Sequence, residues 1–417
     1  CDGLLHQRLD VPFIKYNGKF EKASWKEVYK IIKSKFKNID KDKICGITGD
    51  LVNMETLHIF KELFNKTLNT QNIESRSSHS YLNPDKRENY LFNSSINRIE
   101  ESDFIFLVGS NPRYEATILN ARIRKAYLAN KTKIISLNDV GDLTYPYNAL
   151  DGNIQNIKDI IDDKHEISSL ITKAKKPIII FGQSALKSKY SKFIFESFKS
   201  YLIKNNKISE DWNALNIISE NAATVGGFDL GIYKTTDGSN EILKDLENNK
   251  FELIYLLGQD NIKFNKQNEF IIYQGSHGDK GAEIADIILP GAAYTEQSGY
   301  YTNLEGKLQK AYKASYPPEN AKEDWLIINE IAEIMNHRKL FNDKDELESS
   351  LINQINLMIE KNKSKNFIQI ENLTFEKEIL KIDSEDYYHS NVIARASKTM
   401  NECKLAKINF KSTGTEG

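Results

Sequence analysis

Cysteine is scarce. Cys1, Cys45 and Cys403 are spread over 417 residues, and no CxxC occurs. Three thiols cannot pair off completely, which argues against a disulfide framework and against an iron–sulfur cluster held within the chain. A reducing compartment fits. Proline and glycine number only 8 and 21, too few for a fibre or a low-complexity linker. An excess of one charge is missing too. The 57 Lys and Arg oppose 58 Asp and Glu, a formal net charge of -1. No global positive field exists for nucleic acid or anionic lipid. No apolar run reaches the roughly 18 residues of a membrane-spanning helix, so no direct membrane insertion is expected. The chain opens Cys1-Asp2-Gly3 without Met and shows no signal or transit pattern, as expected of a processed product or the later part of something longer.

What is present is material for a core. Hydrophobic residues make up 40% and charged residues 28%, with 20 Phe, 20 Tyr and 3 Trp. At about 150 residues per domain the length corresponds to roughly three domains. Apolar stretches are short, as in Pro177–Phe181, and suit buried strands. The cations are unevenly divided, 48 Lys against 9 Arg. Six of the nine, Arg76, Arg87, Arg98, Arg113, Arg122 and Arg124, fall in one window where uniform scatter would put about one. Arginine differs from lysine where a planar fork must grip carboxylates or carbonyls. This window is therefore the candidate for a domain or subunit contact, with chance clustering as the alternative.

Four regions are expected. Residues 1–40 are a leading arm and first helix: Asn17-Gly18 signals a hairpin, Ser24 an N-cap, and Trp25, Val28, Ile32 and Phe36 recur at helical spacing. Residues 41–150 form an α/β unit, with a strand at 43–47, a helix over 55–68 and a βαβ unit: strand 103–108, loop Gly109-Ser110-Asn111-Pro112-Arg113, helix 114–128 and strand 133–137. Residues 151–315 repeat the pattern, with strands ending at Gly182 and Gly258. Residues 316–417 are helical in part, with Trp325, Ile328, Ile331 and Met335 on one face and a frayed tail over 408–417. The strand-then-Gly junctions predict doubly wound, mainly parallel α/β layers.

In such sheets ligands sit beyond the carboxyl ends of strands, near free helix N–H groups. Gly109, Ser110, Asn111 and Pro112 occupy such a place and are the candidate phosphate cradle, or else an ordinary turn opened by Pro112; neither GxGxxG nor GxxxxGK[ST] is present. His277 and Asp279, among Gly275, Gly278 and Gly281, read as an acid–base pair or as a loop histidine bonded to backbone. Ser75 to Ser80 offers hydroxyls and His79 to a hard metal, or is a capped loop. No GxSxG elbow occurs, and no pair of carboxylates suggests itself as acid and base.

Several ordered motifs carry a family resemblance. Asp103 to Lys125 (DFIFLVGSNPRYEATILNARIRK) resembles the large iron–sulfur subunit of respiratory complex I, the NADH:quinone oxidoreductase. So do Tyr273 to Ala282 (YQGSHGDKGA), Ala285 to Glu296 (ADIILPGAAYTE), Tyr301 to Gln309 (YTNLEGKLQ) and Ile393 to Met400 (IARASKTM). The likeness covers nearly the whole chain and is to the C-terminal, molybdopterin-oxidoreductase-like domain of that subunit. It implies a molybdopterin-oxidoreductase-like fold and a place in the peripheral arm of complex I, on the matrix side of the mitochondrial inner membrane or the cytoplasmic face of a bacterial plasma membrane. It also implies that the 2Fe–2S and 4Fe–4S clusters belong to an N-terminal, cluster-bearing part whose cysteine motifs this sequence lacks.

The expected function is that of a scaffold, non-catalytic in itself and without a cofactor, holding the cluster-bearing part and neighbouring subunits in register. The alternative is a molybdopterin-dependent oxidoreductase of formate dehydrogenase type; a free nucleotide-binding module is a third reading. Against the alternative, the stretch from Glu74 to Asn93, which corresponds to the family's molybdenum-ligand region, has no Cys. Leu137 to Asp142 places Asp139 and Asp142 where a phosphate would prefer cations.

Overall fold

The computed structural model describes residues 2–368, 370, 373–383 and 386–408. The first two strands are a hairpin, β1 (Phe13–Tyr16) and β2 (Lys19–Lys22), turned by Asn17 and Gly18, both with positive φ as the twist of a tight hairpin requires. The helix Trp25–Asn38 follows. Ser24 and Glu27 form a reciprocal capping box at its start, and Val28, Ile32 and Phe36 are its buried stripe. β3 (Ile44–Thr48) and β4 (Ile73–Glu74) are a parallel pair.

Five parallel strands come next: β5 (Phe104–Val108), β6 (Lys133–Ser136), β7 (Asn148–Ala149), β8 (Pro177–Phe181) and β9 (Leu215–Ile217). They form their own sheet in the order β7-β6-β5-β8-β9. The chain then returns to the first sheet with β10 (Leu253–Leu257), β11 (Phe270–Gly275) and β12 (Ile287–Pro290). The completed seven-stranded order is β2-β1-β12-β11-β10-β3-β4. Its β10–β3 junction is the parallel pairing of Leu253 with Ile44 through Leu257 with Thr48. A small hairpin, β13 (Gly299–Thr302) and β14 (Leu308–Ala311), completes the strands.

The architecture is doubly wound, mainly parallel α/β, as the strand-then-Gly pattern predicts. The strand order runs across the linear division at 40, 150 and 315. Position 150 falls between β7 and β8, inside one sheet, and strands from both sides of it build the seven-stranded sheet. Backbone hydrogen bonding joins β3 to β10 across the whole inserted sheet, a pairing that local sequence patterns do not encode. The helix expected over 114–128 is broken at Ala116 into Pro112–Glu115 and Thr117–Asn130. Its first turn is held separately by Asn111 and Glu115, described below. The segment after 316 carries the helices Asp324–Asn336, Lys344–Lys363, Val392–Ala396 and Lys398–Ile408; residues 409–417 lie outside the described residues.

Strands β5, β8 and β10 are buried along their whole length, which accounts for their continuous apolar sequence. One core lies on the five-stranded sheet, where Phe181 meets the rings of Phe195 and Phe198 at 5.4 and 5.9 Å and Phe106 meets Phe198 at 5.9 Å. The faces of the seven-stranded sheet hold two further clusters. Truncating a ring in the first core leaves a void that close-packed neighbours cannot refill. Phe106→Ala is expected to cost about 3–5 kcal/mol in urea unfolding, whereas Ile118→Ala, on an exposed helix face, stays within about 0.5 kcal/mol.

Candidate functional site

In the five-stranded sheet β6 and β7 lie on one side of β5, and β8 and β9 on the other. The switch point therefore falls between the ends of β5 and β8, where an open α/β sheet would receive a ligand. Here the two ends touch. A Cβ on Gly182 would come within 2.5 Å of the Gly109 carbonyl oxygen, and one on Gly109 (φ +59) within 2.5 Å of the Ala185 nitrogen. Only glycine fits at either position.

The N–H groups that a phosphate would use are already engaged. Glu115 Oε1 accepts from Asn111 N at 2.7 Å, and Glu115 Oε2 from Gln183 N at 3.2 Å. Asn111 Oδ1 accepts from Arg113 N, and its Nδ2 donates to the Val140 carbonyl. Beyond β6, the N–H groups of Gly141 and Thr144 hold Asp139 and Asp142 below the usual carboxylate range, with added help from Tyr147 and Arg113 respectively. Both remain anionic at neutral pH.

The seven-stranded sheet repeats the closure. Its switch lies between β3 and β10, and a Cβ on Gly49 would sit 1.7 Å from the Gly258 carbonyl oxygen. Asp50, just beyond, accepts from Asn221 Nδ2 at 2.7 Å and Asn261 Nδ2 at 2.6 Å. Asp260 is buried and bonded to the Tyr273 hydroxyl at 2.9 Å; burial pushes its carboxyl up to about 7.

His277 and Asp279 do not pair with each other; of the two readings, the loop histidine bonded to backbone is the one found. The buried His277 ring bonds through Nε2 to the Gly3 carbonyl at 2.9 Å and through Nδ1 to Ser276 Oγ at 2.8 Å. Burial, reinforced by Arg8, lowers its pKa to about 4, so it is neutral and structural. Asp279 instead takes Arg395 Nε at 2.5 Å. The Ser75–Ser80 hydroxyl cluster also disperses. Ser75 Oγ donates to the Ile232 carbonyl, and His79 Nε2 lies 2.8 Å from Glu247.

The arginine window divides in two. Arg76 is 3% exposed; it grips Glu74 through two nitrogens and donates to the Ser80 and Gly238 carbonyls. Arg87 is forked onto Asp229 at 2.8 and 2.7 Å and reaches the Gly306 carbonyl. Burial and internal partners make these two contacts between segments of the chain itself. Arg98, Arg113, Arg122 and Arg124 are more exposed, partnered by Glu101, Asp142, Glu100 and the Thr144 carbonyl respectively.

A pterin cofactor with its phosphates does not fit these residues. At the Glu74 to Asn93 stretch the cavity between Arg76, Tyr81 and Tyr90 is about 30 Å³, space for about one water. The larger crevice between the sheets, about 570 Å³, is bordered by Glu115, Glu220 and Asp386 together with Tyr114, Tyr294 and Tyr387. Among its described lining residues there is no Lys, Arg or His. Glu115 is the residue of these strand ends least visible in the sequence. Its one signal was an acidic side chain in the first turn after an Asn N-cap, the position from which a carboxylate reaches back to free N–H groups.

This fold, with its paired strand-end loops, is that of the molybdopterin oxidoreductase family: the model described as "Molybdopterin oxidoreductase" matches residues 8–334, and the chain belongs to that family. Within it the chain is 37% identical over 98% of its length to the NADH-ubiquinone oxidoreductase 75 kDa subunit of Reclinomonas americana, and 35% identical over 97% to the mitochondrial NADH-ubiquinone oxidoreductase 78 kDa subunit of Candida albicans. It spans 62% and 57% of those relatives. Among solved structures, a chain of the formyltransferase/hydrolase complex of Methylorubrum extorquens shares the fold with a TM-score of 0.55 at 10% identity, over 78% of this chain and 99% of that one.

Two outcomes follow from the closed strand ends. Gly49→Ala is expected to lose about 3 kcal/mol or more in chemical denaturation, against about 0.5 kcal/mol for Gly278→Ala, whose Cβ would meet nothing nearer than 3.8 Å. The second concerns Asp260, whose folded pKa is raised. Its contribution is complete below the unfolded value near 3.8 and is lost as pH rises through about 7. Between pH 5 and 8 the native chain should lose about 2 kcal/mol that Asp260→Asn does not lose, measured by urea midpoints across that range.

Proposed function

We propose that this chain is a non-catalytic scaffold in the peripheral arm of NADH:quinone oxidoreductase. It holds a cluster-bearing part and neighbouring subunits in register while electrons pass from NADH toward quinone. The observation that carries the reading is the likeness along 98% of the chain to a subunit named for that enzyme. The closed, acid-bordered strand ends support the non-catalytic part, because a nucleotide-bearing cofactor needs free N–H groups and cations there. The same chemistry disfavours an oxidoreductase of formate dehydrogenase type and a nucleotide-binding module.

On this reading the iron–sulfur clusters are carried by the N-terminal, cluster-bearing part. The assembly sits at the matrix side of the mitochondrial inner membrane or the cytoplasmic face of a bacterial plasma membrane. No helix among the described residues is long and apolar enough to cross a membrane, in keeping with a peripheral position. The partner-facing surface is the one bearing Arg98, Arg113, Arg122 and Arg124, where Ile118 and Leu128 are also exposed. Arginines interleaved with apolar side chains are the composition that interfaces favour.

Arg113→Ala and Arg122→Ala should lower the amount of assembled complex on native gels and leave the denaturation midpoint of the isolated chain unchanged, since exposed ion pairs contribute little to folding. Undiminished complex in both variants would count against this surface. Stoichiometric molybdenum in the purified chain would overturn the scaffold reading itself.

A further inference from the structure

We propose that the carboxylate of Glu115 is a built-in anion, filling a strand-end cradle that would otherwise take an oxyanion of the phosphate or carboxylate class. The inference rests on the reading of the crevice as free of nucleotide and goes further, naming what occupies the place instead.

The geometry is specific. Two loops from different strands converge at the switch point, and each contributes one N–H to the same carboxylate. Asn111 N donates to Oε1 at 2.7 Å and Gln183 N to Oε2 at 3.2 Å. A carboxylate accepting from N–H groups of two separate loops makes charge-assisted hydrogen bonds as a phosphate would. The loops are held at this separation by the Gly109–Gly182 contact, so the cradle is fixed by backbone rather than shaped by Glu115. Beside it lies Ser110, 0% exposed, whose hydroxyl has no hydrogen-bond partner among the described residues. A Cβ at Gly182 would come within 2.5 Å of the Ser110 Cβ, which places this hydroxyl-bearing residue at the contact itself.

The break of the helix at Ala116 follows from the same arrangement. Ala116, at φ -153 and ψ 71, separates the Pro112–Glu115 turn from the longer helix. That separation leaves Glu115 on a turn of its own, bonded back to Asn111 and across to Gln183, rather than in line with the helix that follows. Deleting the carboxylate leaves two N–H donors without their acceptor and a space of carboxylate size, and a free oxyanion supplies both shape and charge.

The test is chemical rescue of Glu115→Ala in the isolated full chain, followed by thermal unfolding. Acetate and inorganic phosphate at tens of millimolar, against chloride of equal ionic strength, should raise the variant's melting temperature by about 3 °C or more and leave the native chain and Glu333→Ala unchanged. A variant that gains no more from oxyanions than the native chain does overturns the proposal. Should Glu115→Ala not fold, Glu115→Gln serves in its place. Hydrogen exchange at the Asn111 and Gln183 amides should accelerate at least several-fold in it, and unchanged protection at both overturns the proposal equally. Neither readout involves complex assembly or molybdenum, so failure here is separable from failure of the scaffold reading.

Discussion

Backbone lies directly on backbone where each sheet reverses its winding. At both switch points one strand end presents a glycine to the carbonyl of its neighbour, Gly49 to Gly258 and Gly182 to Gly109, at separations that no side chain would permit. In an open parallel sheet the divergence of loops at this point normally creates a crevice. Holding the ends together closes the backbone gap between the strands, and the space that remains, about 570 Å³, lies beyond the loops. The remaining polar features depend on this closure. Glu115 can bridge two loops because they are close, and Asp50 can hold Asn221 and Asn261 because the chain after β9 and the chain after β10 meet beside it.

Charge is used in the same structural way. Of 57 cationic side chains, two confined arginines each tie together segments distant in sequence. Arg76 joins β4 to the loop around Gly238, and Arg87 joins its own turn to Asp229 and Gly306. Each makes several directed bonds from one planar group, which an ammonium cannot reproduce. A buried pair of this kind is a weak source of net stability but a strong one of registration, since either partner alone would be stranded in a dry interior. The numerous lysines mostly face solvent, where their pairs are screened and contribute little.

Much of this was legible in the sequence, and the reasons are local. Continuous apolar runs such as Phe104–Val108 marked buried parallel strands because such strands are covered on both faces. Ser24 and Glu27 marked a helix start because they satisfy each other's free N–H groups. Asn17-Gly18 marked a hairpin because both residues tolerate positive φ. The carboxyl-end location of the Gly109 loop was also readable, since it follows from strand order alone. What escaped was long-range. No local pattern specifies that β3 pairs with β10. Nor does a sequence state that Glu115 turns back onto its own loop, that Arg76 faces inward, or that Asp279 prefers Arg395 to His277. Those are choices among competing partners, settled only when distant segments pack.

The pairing of β3 with β10 also imposes a schedule on the folding chain. Five of the six strands between them, β5 to β9, can assemble as they are made, because all their partners lie within one continuous stretch. The first sheet cannot. Until β10 is available, β3 has β4 on one flank and nothing on the other, with its ladder of N–H and C=O groups left open and Ile44 on one face and Ile47 on the other incompletely covered. A newly made chain therefore passes through a stage in which its middle is finished and its beginning is still waiting. Its exposure to aggregation and its need for chaperones should concentrate in that interval.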